Sequence, residues 1–75
     1  MPKYFFHIHD GKDLIDTDGT ELRNRDAVRS EAIRLAADSI GSLKWDFWGH
    51  GEWRLDVIDQ QGANVLTLRF SGEDH

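Results

Sequence analysis

An antiparallel sheet with one helix packed on one of its faces, a two-layer α+β domain in the order β-β-α-β-β, is the fold this sequence predicts, on three observations. Residues 3–9, 53–59 and 64–70 alternate with a period of two, the run from Ala27 to Leu43 carries its apolar residues at helical spacing, and glycine-containing turns separate these segments. Both hairpins are local and only the helix crosses between them, so a single sheet covered on one side is the economical solution.

In the first strand, Lys3 to His9, Tyr4, Phe6 and Ile8 point one way while Phe5, His7 and His9 point the other. Asp10-Gly11 is a turn dipeptide, and Leu14-Ile15 forms the centre of a short returning strand, Asp13 to Asp16. Asp18-Gly19 marks another tight turn, and Asn24 is placed to cap the helix. The helix has an apolar stripe at Val28, Ala32, Leu35, Ala36 and Leu43, widened by Ile33 and Ile40, with Leu35 at its centre. Gly41 loosens or ends its last turn. Trp53, Leu55 and Val57 of the third strand (Trp53 to Asp59) and Leu66, Leu68 and Phe70 of the fourth (Asn64 to Phe70) face the core. Gly62 suits the left-handed position of the Gln60-Gln61-Gly62 turn between them. The second sheet face is expected to carry Phe5, His7, His9, Ile58, Val65 and Thr67, with no further element to cover it.

Seventy-five residues make one domain, read as residues 1–72 followed by an acidic tail, Glu73-Asp74-His75. A chain this short buries roughly 60% of the surface its unfolded form exposes, and without cysteine it has neither disulfide nor thiolate metal site to add stability. Self-association follows as an expectation: Phe5, Ile58 and Val65 would be left towards solvent, and a homodimer through this face, or through strand-one edges, would bury them. The apolar run after Met1-Pro2-Lys3 breaks at His7, far short of a signal peptide core or a membrane span, so the chain reads as cytoplasmic with no membrane partner. Nine basic against fourteen acidic residues leave a formal charge of −5, which repels phosphate backbones. Arg23, Arg25, Arg29 and Arg34 are interleaved with Asp26, Glu31 and Asp38, a mixed-sign solvated surface rather than a nucleic-acid patch.

The opening M-P-x-Y-F-F-H-x-x-D-G, the D-x-x-G-x-x-L step from Asp16 to Leu22, the S-E-A of the helix and the closing W-R-L-x-V-x-D-x-x-G-x-x-V-L-x-L-x-F resemble a small bacterial family, domain of unknown function 6894. The resemblance covers nearly the whole chain and implies a compact α/β domain, with no activity, cofactor or catalytic residue to transfer. The chain departs from the usual pattern at His9 and in the aromatic stretch Trp45 to Gly51.

His7 and His9, two apart on one strand, project from one face about 6 to 7 Å apart, a spacing able to chelate a metal if His50, Asp56 or another subunit supplies a third ligand. The alternative is a pair of polar residues on a sheet surface. The acidic string Asp10, Asp13, Asp16, Asp18 and Glu21 fails the calcium-loop register, because a loop begun at Asp16 needs Gly where Glu21 stands and Glu where Ala27 stands. Turn-forming aspartates beside glycines explain it more simply. No cysteine is present, Ser30, Ser39, Ser42 and Ser71 show no nucleophile motif, and Gly49-His50-Gly51 follows no phosphate-loop pattern. The chain is therefore read as not an enzyme and as needing no cofactor. Trp45, Phe47, Trp48, His50 and Trp53 form the most aromatic stretch, either a lid over the core or a contact surface, with Phe47, Trp48 and His50 on the exposed side of that choice. The expected function is a non-catalytic protein-interaction module or homodimer, engaging an unidentified protein partner through Phe5 or this loop; the alternative is a small metal- or ligand-binding protein centred on His7 and His9.

Overall fold

The computed structural model describes residues 1–42 and 52–75. Its elements are β1 (Lys3–His9), β2 (Asp13–Leu14), β3 (Thr20–Glu21), α1 (Arg25–Gly41), β4 (Trp53–Ile58) and β5 (Asn64–Phe70). They form an α+β arrangement of one helix and a five-stranded antiparallel sheet in the order β2-β1-β4-β5, with β3 also pairing to β1. The expected order is thus found with one strand more. The returning strand is shorter than its apolar pair suggests, ending at Leu14, and the chain makes a second contact with β1 at Thr20 and Glu21.

Asn24 caps α1 as its side chain predicts: it sits in extended backbone, and Oδ1 accepts the Ala27 N–H at 2.9 Å. The acid of the first turn, Asp26, favours the positive end of the helix. Ser42 closes the other end, its hydroxyl donating to the Ser39 carbonyl at 2.9 Å, and Gly41 is the last helical residue. Val28, Ala32 and Ala36, spaced by four, are buried and lie with Trp53, Leu55 and Val57 of β4 and with Tyr4 and Phe6 of β1 in one core. The alanines let the helix approach the sheet closely. Leu35, expected at the centre of the stripe, is only partly buried, and Ile33 is exposed because it lies about 100° round the helix from the buried line. The solvent side of α1 is laced with ion pairs, Arg29 to Asp26 at 2.9 Å and Arg34 to Glu31 and Asp38.

β4 and β5 pair in the expected register up to Val57 opposite Leu66, after which Ile58 faces Asn64. Val65 is the extra residue of this irregularity. The chain twists there, and Val65 turns against the core rather than joining Phe5 on the opposite face, where strict alternation places it. In the connecting turn Asp59 Oδ1 accepts the N–H groups of Gln61 and Ala63, and Gly62 takes φ +86° as anticipated. Among the described residues no helix is long and apolar enough to cross a membrane.

Candidate functional site

Strand register builds the face opposite α1 in rows. His9, Arg54 and Arg69 align across β1, β4 and β5, His7, Asp56 and Thr67 form the next row, and Phe5 and Ile58 the third. No described element lies over these rows.

Asp56 is the hub. Its Oδ1 accepts the Thr67 hydroxyl at 2.8 Å and the Asn64 amide at 3.4 Å, and its Oδ2 accepts Arg54 Nε at 3.1 Å and lies 3.5 Å from His9 Nε2. Burial pushes this carboxyl up, and the Thr67 hydroxyl, the Arg54 guanidinium and the Asn64 amide together outweigh it, leaving Asp56 below its ordinary value. His9 continues the network to β2, its Nδ1 2.7 Å from Asp13 Oδ1; a carboxylate only accepts, so the ring hydrogen is on Nδ1 in that contact. The result is a polar chain, Asp13 to His9 to Asp56 to Thr67, that steps across β2, β1, β4 and β5 in turn.

A second constellation fills the edge of β1 that faces away from β4. Asp16 Oδ2 accepts the Phe6 N–H at 3.1 Å, Oδ1 accepts the N–H groups of Asp18 and Gly19, and the Asp16 N–H donates to His7 Nδ1 at 3.1 Å. Burial raises the Asp16 carboxyl, but the N–H groups of Gly19, Phe6 and Asp18 more than reverse it. With β3 at Lys3 and Tyr4 and β2 at Ile8 and His9, the β1 edge has partners within the chain. The other edge is also managed: Arg25 donates to the Val65 carbonyl at 3.2 Å, and the Leu66 N–H donates to Asn64 Oδ1 at 3.2 Å.

Of the residues singled out from the sequence, Phe5 is half-buried rather than open. The turn at Gly19 covers its ring so closely that a Cβ there would lie 2.8 Å from it. His7 and His9 share the open face, yet His7 spends Nδ1 on a backbone N–H and His9 faces two carboxylates. Asp56, the third ligand on β4, lies directly opposite His7 but serves the network around Thr67. Among the described residues no group of three or more His, Cys, Asp or Glu side chains is placed to hold a metal ion. Phe47, Trp48 and His50, with Leu43 and Trp45, lie outside the described residues. Trp53 is fully buried, and its indole N–H finds no partner among them. Arg54 carried no site signal in the sequence beyond period-two alternation along β4, and Asp13 and Asp16, read there as turn aspartates, receive their strand contacts only from the fold.

A family model described as Domain of unknown function (DUF6894) matches residues 3–71. No curated protein and no solved structure matches the chain.

Proposed function

The chain belongs to that family, and with no activity to inherit from it we propose that it is a non-catalytic protein-interaction module working through the sheet face opposite α1. The observation that carries this reading is the asymmetry of the sheet: one face is covered by the helix, and on the other, where half-buried Phe5 and Ile58 lie two rows from His9, Arg54 and Arg69, no described helix or strand lies and only the Gly19 turn reaches Phe5. The β1 edge, paired at Lys3, Tyr4, Ile8 and His9 and engaged by Asp16 at Phe6, supports it further, because it directs a partner to the face rather than to strand addition there. The histidines and carboxylates of this face are engaged in holding strands together, an arrangement that suits a presented surface better than a reacting centre.

A photo-crosslinking residue in place of Ile58, compared with one in place of exposed Ile33 on α1, tests the proposal in the native cell. A discrete adduct from position 58 and none from position 33 is the expected result. Equal adducts from both positions, or none from position 58 in a chain that circular dichroism shows to be folded, would refute it. Light scattering then separates a partner protein from a second copy: a mass near 8.6 kDa for the isolated chain leaves the face to a different protein, and twice that mass assigns it to a homodimer.

A further inference from the structure

We propose that the protein docking on this face brings an acidic peptide segment, whose carboxylates seat on Arg54 and Arg69; the inference rests on reading the face as a docking surface. Arg54 and Arg69 are direct cross-strand partners, so their Cβ atoms lie about 5 Å apart, and of these two like charges only Arg54 has an ion-pair partner among the described residues, Asp56 Oδ2 at 3.1 Å. The acid nearest in register, Asp56, is already taken up by Thr67, Asn64 and the Nε of Arg54. Arg69 is exposed and has no acidic partner among the described residues, although the chain has fourteen acids to nine bases. His9 extends the row on β1, where it faces Asp13 and Asp56. Two forked guanidiniums carried on facing residues fit carboxylates, and the Phe5 and Ile58 row two steps along the strands offers an apolar contact beyond them.

A second copy is a poorer occupant. Two copies stacked face to face about an axis along the strands would set Arg69 over the mate's Asp13, a carboxylate already held by His9, and about an axis across the strands would set the row on Phe5 and Ile58. Neither arrangement supplies Arg69 with a carboxylate that is not already engaged within its own copy. A nucleic acid would meet the net charge of −5, whereas a short acidic segment engages the row with fewer charges exposed to that repulsion.

The test is a titration of the folded, isotope-labelled chain with a synthetic peptide of alternating glutamate and leucine, followed by amide and arginine Nε–H resonances. Shifts should centre on Arg54, Thr67 and Arg69, weaken with added salt, and be absent with a glutamine-for-glutamate peptide. Arg69→Gln should weaken binding about two- to fivefold, the loss of one exposed ion pair, while Arg34→Gln on the helix leaves it unchanged. Equal weakening in both variants, shifts centred on the helix arginines, or no response on this face would overturn the inference. So would a short DNA duplex that shifts the same resonances more strongly than the peptide. Shifts at Phe5 and Ile58 that persist unchanged in Arg69→Gln would sink the acidic segment while leaving the docking face standing, and failure of the face itself is read separately from the crosslinks at position 58.

Discussion

Replacing Asp16 by alanine should be among the most damaging polar substitutions in this chain, because one carboxylate accepts three backbone N–H groups, from Phe6, Asp18 and Gly19, at 3.0 to 3.1 Å. A hydrogen bond to a charged acceptor contributes about 1.5 to 3 kcal/mol net, so a plain sum would be about 4.5 to 9 kcal/mol. The sum overstates the loss. Water reaches the turn at Asp18 and Gly19 once the carboxylate is gone, which reduces those two bonds to a few tenths of a kcal/mol each. The Phe6 N–H stays on the edge of β1 between β2 and β3, where replacement by water is poorer. The expected cost of Asp16→Ala is therefore about 2 to 4 kcal/mol, against a total stability of about 3 to 5 kcal/mol for a domain of this size. Asp16→Asn keeps one acceptor and should cost about half as much. Urea denaturation followed by circular dichroism at pH 7 measures both. The pH dependence has a definite sign: the folded carboxyl titrates below its ordinary 3.8, so its contribution is complete above that value and is lost as pH falls through the lower folded one. The gap between wild type and Asp16→Ala should hold from pH 7 to about pH 5 and narrow below the ordinary value, with Asp56 cancelling because it titrates in both proteins. An alanine variant with the wild-type midpoint, or a gap unchanged down to pH 3, would refute this account of the β1 edge.

Glycine substitutions should separate backbone strain from crowding. Gly62→Ala, at φ +86° with open space around it, should cost about 1 kcal/mol, while Gly19→Ala, at φ +78° with Phe5 and Lys3 side-chain atoms 2.8 Å from the new Cβ, should cost about 1 kcal/mol more in the same urea assay. Leu55→Ala, at a fully buried position of β4, should lose about 3 to 5 kcal/mol and leave the chain largely unfolded at 37 °C, whereas Leu35→Ala, only partly buried, should lose about 1 to 2 kcal/mol; equal midpoints would mean the helix is rotated from its position here. Asn24→Ala should cost about 1 kcal/mol through the Ala27 N–H it leaves unpaired, and a helix content by circular dichroism that shows no fraying would count against the cap.

The sequence by itself determined the elements whose signals are local. Period-two alternation marked β1, β4 and β5 to within a residue, Asn24 announced the helix start by its side-chain chemistry, and Gly62 announced a left-handed turn because other residues resist that backbone. Which face each strand buries also followed from alternation, except at Val65 and at Phe70, which was expected in the core and is exposed at the end of β5. Val65 escaped because a bulge is set by how β4 and β5 meet, not by either strand alone. Leu35 and Ile33 show the same limit in the helix, where the apolar stripe is wider than the contact and only the angle of docking decides which side chains are covered. Asp16 read as one turn aspartate among several; folding the loop back along β1 made it the acceptor for a strand N–H ten residues away. The open face is likewise a tertiary product. His9, Arg54 and Arg69 are 45 and 15 residues apart in sequence and become neighbours only when three strands settle into register, and Asp56 is drawn into their network because Thr67 and Asn64 arrive beside it.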